Sequence, residues 1–203
     1  MPGVALIILA AGNSSRLGQA KQLKLLNGKT LLERIFDAGE ASECSELIVV
    51  LGFDLEQMAN AIRDRKAIIA RNESWETGMG SSIAAGIRKI SELELDVEAA
   101  IVSVCDQPYS NTELFNKMIA TFKANRKNIV ACQYDGIIGT PALFPARCFS
   151  RLAQLQGHEG GRKLLRDPAE KVTAIDFPKG SIDIDTEEDW QTLLQSKDPP
   201  VVG

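Results

Sequence analysis

"VALIILAAGNSSRLGQAK" occupies residues 4–21. An unbroken apolar run passes into alanine and glycine, and two cations, Arg16 and Lys21, follow within one short stretch. A strand that is apolar at every position is covered on both faces, as in a parallel sheet flanked by helices. Small residues at 10–12 let backbone approach a ligand closely, and the amides of the next turn can point at an anion. Arg16 and Lys21 would supply donors and countercharge to a group as negative as a triphosphate.

The rest of the chain repeats the alternation. "ELIVVLG" (46–52), "AIIA" (67–70) and "AAIVSVC" (99–105) read as further buried strands. In 30–41 the apolar residues Leu31, Leu32, Ile35 and Phe36 share one helical face, and in 111–123 Leu114, Phe115, Met118, Ile119 and Phe122 do so. Strands alternating with helices imply right-handed crossovers and an α/β, doubly wound, mostly parallel sheet with helices on both faces. "NIVACQYDGIIGTPALF" (128–144) predicts two strands joined by a glycine turn, a small antiparallel addition. "VTAIDF" (172–177) and "SIDID" (181–185) read as short late strands. "TEEDWQTLLQ" (186–195) reads as a helix capped by Thr186, with Asp189 three residues on. With no repeat or linker, the expected organisation is one domain over 1–196 and a frayed tail over 197–203.

Composition removes several function classes. A formal net charge of −4 argues against a protein that binds nucleic acid through its overall field. No apolar stretch approaches the roughly 20 residues that span a bilayer, and the N-terminus lacks a basic leader, so a cytoplasmic protein is expected. Cys44, Cys105, Cys132 and Cys148 are widely spaced and there is one histidine, His158, which predicts reduced thiols and no structural zinc. Cys105 has no visible base beside it and reads as a buried strand-end thiol rather than a nucleophile.

Two phosphate-loop patterns fail on spacing. Gly12 and Gly18 stand one residue too far apart for G-x-x-x-x-G-K-[ST], and G-x-G-x-x-G is absent. Asp106 follows a predicted strand and so lies at the carboxyl edge of the sheet, where ligands bind. There it can hold Mg²⁺ against phosphate oxygens or simply open the turn at Pro108. Asp183 and Asp185 flank Ile184, so in a strand they share a face. In "ETGMGSSIAAGI" (76–87), Gly78 and Gly80 precede a helix that Ser81 or Ser82 would cap, and the same N-terminus can present amides to a ligand. Trp75, just before, reads as a core or rim residue.

Taken together, "LAAGNSSRLGQAKQL", "NESWETGMGSSIAAGI", "VCDQP", "GTPALF", "LAQLQGHEGGRKLL" and "DIDTEEDW" stand in an order that resembles the nucleotidyltransferases built on a Rossmann-like sheet, most closely the MobA-like molybdenum cofactor cytidylyltransferase family. The likeness covers nearly the whole chain. It implies transfer of CMP from CTP to a molybdopterin-type cofactor with release of pyrophosphate, Mg²⁺ as the metal, and a molybdenum hydroxylase as recipient. It implies catalytic roles for Arg16, Lys21 and Asp106, and a metal pair of Asp106 and Asp185 in preference to Asp183. The nucleotide would lie against Leu9, Ala10, Ala11, Gly12, Arg16, Lys21, Asn72, Gly78, Ser81 and Ser82. The acceptor would lie against Gly139, Pro141, His158 and Arg162. "LAAG" resembles the cytidylyl branch, where guanylyl relatives tend to carry "LAGG". The chain departs from the family where G-H-P becomes Gly139-Thr140-Pro141 and where His158 replaces an acidic residue. Both departures fall on the acceptor side. They leave open a sugar phosphate or other phosphorylated alcohol as acceptor. A carrier that only hands the cofactor on is the non-enzymatic alternative.

Overall fold

The structure is a computed structural model describing residues 2–13, 20–158, 160–196 and 199–200. In chain order its elements are β1 (Gly3–Leu9), the short pair β2 (Leu25–Leu26) and β3 (Lys29–Thr30), α1 (Leu31–Glu40), β4 (Glu46–Leu51), α2 (Leu55–Ala61), β5 (Ile68–Arg71), α3 (Met79–Glu92) and β6 (Val97–Val104). Then follow α4 (Thr112–Ala124), β7 (Ile129–Tyr134), β8 (Ile137–Pro145), α5 (Phe149–Leu152), α6 (Arg162–Leu165), β9 (Val172–Asp176) and α7 (Glu187–Leu194). Seven strands form one sheet in the order β5-β4-β1-β6-β8-β7-β9. Its pairings are parallel except those of β8, which runs antiparallel to both β6 and β7.

β1 explains the apolar run. Val4, Leu6 and Ile8 face one side, packing with Phe36 of α1 and Phe115, Met118 and Phe122 of α4. Ala5, Ile7 and Leu9 face the other, against Ile83 and Ile87 of α3. Burying a large apolar side chain of this kind stabilises the fold by about 1.5–3 kcal/mol. Polar alternation would therefore cost one layer or the other. A satellite cluster of Leu26, Leu31, Tyr109, Ile184, Trp190 and Leu193 seats α7 on the main body.

Local signals account for the helix starts. Thr30 and Glu33 form a reciprocal capping box on α1, as Thr186 and Asp189 do on α7. The Asn111 side chain accepts from the Leu114 amide to open α4. One expectation is corrected. "SIDID" is not a strand: Pro178–Ser181 forms a 3-10 turn, and residues 182–185 join no ladder. That segment is held by burial of Ile184 and by its amide, which donates to Asp106 O at 3.0 Å. The antiparallel pair expected over 128–144 is present as β7 and β8, joined at Gly136, with β8 lying between β6 and β7. Within the expected tail, Pro200 is buried and its carbonyl accepts from Arg34 Nη2 at 2.9 Å.

Among the described residues no helix is long and apolar enough to cross a membrane. All four cysteines are free thiols. Burial pushes Cys44 up to about 11 and Cys132 up to about 12, and it raises Cys105 and Cys148 as well. The thiolate is the reactive form. The folded protein at pH 8 is therefore expected to leave all four thiols unreacted with a disulfide reagent over minutes, and unfolding should release four equivalents. Packing of α3 on the sheet gives a second test. A Cβ on Gly86 would stand 2.6 Å from Ile7 Cγ2 and 3.1 Å from Val50 Cγ2. Gly86→Val is expected to lower unfolding free energy by about 2 kcal/mol in a urea titration, overpacking outweighing the helix propensity gained.

Candidate nucleotide and acceptor site

β1 has parallel neighbours on both sides: the chain leaves it through α1 for β4 on one side, and crosses to β6 on the other only after β5 and α3. The crevice beyond its carboxyl end is the position where open α/β sheets bind ligands. Ala10 and Ala11 leave that end almost fully buried. Ala10 N donates to Val50 O, and Ala11 O accepts from Phe53 N. Gln22, itself buried, reaches back so that its Nε2 donates to Ala10 O at 3.3 Å and Gly12 O at 2.9 Å. The loop is thereby clamped at both ends of its small-residue patch. Residues 14–19, Arg16 among them, lie outside the described residues.

Lys21 begins a 3-10 turn, Lys21–Leu23. Its Nζ donates to Asp106 Oδ2 at 2.6 Å and to Asp185 Oδ1 at 2.7 Å. Burial acts to lower the ammonium's proton affinity, but the two carboxylates more than offset it and leave its pKa raised. The backbone bond from Ile184 to Asp106 brings the two acidic segments together. A second tie comes from Gln107, whose Nε2 donates to Gly180 O at 2.7 Å and to the Tyr134 hydroxyl at 3.3 Å. Asp183 stays aside: burial and the Asp106 and Asp185 charges hold its carboxyl above the usual range.

The N-terminus of α3 forms the facing wall. Asn72 Nδ2 donates to Ser81 Oγ and Ser82 Oγ at 2.9 and 3.0 Å, while its Oδ1 accepts from Ser74 N. Neither serine caps the helix, contrary to expectation. Gly78 is the N-cap residue, and Ser81 and Ser82 fall inside the first turn, where Ser81 Oγ donates to Ser74 O and Gly78 O. Gly78 has φ +120°, and a Cβ there would meet Gly157 O at 2.6 Å. The Gly80 amide already donates to Gly157 O at 2.9 Å, so it is not on offer to a phosphate.

Two neighbouring clefts result. One, of about 220 Å³, is lined by Leu9, Ala11, Gly12, Lys21, Gly78, Ser82 and Asp106, together with Trp75 and Cys105. The other, of about 190 Å³, is lined by Gly139, Thr140, His158 and Arg162 over an apolar floor that includes Ile83 and Phe144. Met79 lines both and stands between them. Ala10, Asn72 and Ser81 do not line the first cleft. Pro141 is buried in β8 and lines neither. Sequence reasoning missed Gln22, Gln107, Tyr134 and Met79. A single glutamine or methionine carries no spacing signal, and these residues acquire meaning only from contacts across the fold.

Residues 6–172 match the MobA-like NTP transferase domain family. Among curated proteins, the chain is 27% identical to nicotine blue oxidoreductase of Paenarthrobacter nicotinovorans, covering 96% of this chain and 98% of that one. It is 24% identical to the molybdenum cofactor cytidylyltransferase of Escherichia coli, covering 96% and 97%. Among solved structures, Rv0371c from Mycobacterium tuberculosis superposes with a TM-score of 0.80 at 26% identity, over 96% of this chain and 99% of that one. A family match across most of the chain, on a sheet whose carboxyl edge gathers a lysine and two aspartates, establishes that the chain belongs to the MobA-like NTP transferase family and is a nucleotidyltransferase.

Proposed function

We propose that the chain transfers CMP from CTP to the terminal phosphate of a molybdopterin-type cofactor, with Mg²⁺ as the metal and a molybdenum hydroxylase as recipient of the product. The observation that carries this reading is the convergence of Asp106 and Asp185 on one cation, the Lys21 ammonium. The donor set fits a hard divalent ion. Mg²⁺ is held by one or two carboxylates and completes its shell with water and substrate phosphates. Among the described residues no group of three or more His, Cys, Asp or Glu side chains could cage a metal, which suits an ion that arrives with a triphosphate. Such an ion neutralises charge on the phosphate oxygens.

The chain's own residues position and neutralise. Gln22 holds the 10–12 backbone in place, and the small residues there admit the phosphates. Lys21 offsets charge at the α-phosphate, and Arg16 offsets the β and γ phosphates. An oxygen of the acceptor's phosphate attacks the α-phosphorus in line, the bond to the bridging oxygen breaks, and pyrophosphate leaves. Positioning and charge neutralisation supply most of the acceleration for such a step. On the acceptor side, Arg162 offers countercharge and His158 a polar contact. Base choice rests on Ala11, which lines the nucleotide cleft; Ala10 does not. The departures from the family pattern, Thr140 and His158, both line the acceptor cleft, and they support a phosphorylated alcohol as the second reading of the acceptor.

Pyrophosphate release with Mg²⁺, purified molybdopterin cofactor and either CTP or GTP tests the proposal. Release with CTP alone is expected, and chelation with EDTA should stop it. Release with GTP alone would overturn the base assignment. Silence with both, alongside CTP binding, would overturn the acceptor. Asp106→Ala is expected to keep its fold by circular dichroism and lose more than the 10–100-fold that changes behind a metal's ligands cost. Retained turnover would sink the metal assignment. Gln22→Ala leaves two loop carbonyls without their donor. It should raise KM for CTP more than it lowers kcat, with about 1 kcal/mol lost in stability.

A further inference from the structure

Lys21 and the proposed metal need the same place. Its Nζ lies 2.6 Å from Asp106 Oδ2 and 2.7 Å from Asp185 Oδ1. A magnesium ion draws carboxylate oxygens to about 2.0–2.1 Å. An ammonium lodged between these two oxygens and a divalent ion bound by them cannot coexist. The ion pair is also costly to break. The Lys21 side chain is 17% exposed and that of Asp106 22%, so water compensates poorly for loss of that partner, while Asp185, 48% exposed, contributes less. The charges of Asp183 and Asp189 also interact favourably with Lys21.

Lys21 also lines the nucleotide cleft, beside Gly12. A triphosphate in that cleft would present anionic oxygens within the swing of its flexible stem. A metal arriving alone must evict the ammonium from both carboxylates without bringing an anion for it in exchange. A metal arriving with nucleotide exchanges partners: the carboxylates take the divalent ion, and the ammonium takes phosphate. We propose that Lys21 is a built-in competitor that couples the two ligands, so that metal and nucleotide bind as a pair and neither binds well alone. The proposal rests on the reading of Asp106 and Asp185 as the metal pair. Coupling of this kind is reciprocal, so the factor by which nucleotide tightens metal equals the factor by which metal tightens nucleotide.

The test is Mn²⁺ binding to the full chain, followed by electron paramagnetic resonance. Wild type and Lys21→Met are each measured without and with the α,β-methylene analogue of CTP, which cannot be cleaved. Lys21→Met is expected to bind Mn²⁺ alone at least about tenfold more tightly than wild type, although a cleft residue has been removed. The analogue should tighten Mn²⁺ about 100-fold in wild type and by no more than about tenfold in Lys21→Met. Loss of a positive charge, acting only through its field, would tighten both affinities of the variant alike and leave the coupling factor unchanged. Equal coupling factors in the two proteins would therefore overturn the proposal while leaving the proposed reaction standing. Failure of either protein to bind Mn²⁺ even with the analogue would overturn both. Should Lys21→Met not unfold cooperatively, wild type carrying ¹³C-dimethylated lysines serves instead. The Lys21 methyl signal should stay put with Mg²⁺ alone and shift when nucleotide is added, and a shift with Mg²⁺ alone would refute the competition.

Discussion

Everything at the site depends on β1 being buried on both faces between two parallel neighbours. A strand in that position cannot expose a polar residue without unpacking a layer, so its chemistry has to begin where the strand ends. The strand order switches there, with β4 added on one side of β1 and β6 later on the other, and the switch opens a crevice with walls from segments far apart in sequence. Lys21 comes from the loop after β1, Asp106 from the end of β6, and Asp185 from just before α7. No local motif could place them together; the sheet order does.

Two carboxylates that face one another repel, and backbone holds them against that repulsion. The Ile184 amide bonds Asp106 O directly, and the Gln107 side chain bonds Gly180 O one turn upstream. Ile184 is fully buried in the satellite cluster under Trp190, and α7 is fastened by its capping box. The acidic pair is thus set by apolar packing and main-chain hydrogen bonds, with Lys21 supplying charge balance. This division lets the cation change partners without the carboxylates drifting apart.

How much could be read in advance follows the range of the interactions involved. The apolar runs of β1, β4 and β6 and the faces of α1 and α4 are local patterns, and their elements appear within a residue or two of expectation. The capping box at Thr186 and Asp189 is equally local and is present. "SIDID" misled because alternation along a chain shows which side chains share a face, but not whether a neighbouring strand exists to pair with. Ser81 and Ser82 misled because the glycine before Met79 starts the helix earlier, turning expected caps into partners of Asn72. Asp106 was legible as an acidic group at the carboxyl edge of the sheet, while Asp185 was singled out through the family resemblance. Their shared hold on Lys21, across 85 and 164 residues, was not, and neither was the clamp from Gln22.

The contact between the start of α3 and the 156–157 backbone has a consequence for how such a protein can diversify. Gly78 and Gly80 lie so close to Gly157 O and Gln156 O that a methyl group at either would collide with main chain. The wall of the cleft that holds Lys21 and Asp106 and the loop that leads into the cleft of His158 and Arg162 are therefore one mechanical piece. Insertions or backbone shifts near 156–157 would disturb both clefts at once. Under the proposed reaction, a new acceptor preference would be open mainly to side-chain exchanges on an unchanged backbone, at Thr140, His158 and Arg162, the positions from which a lineage could drift toward a new acceptor while the other cleft stood still.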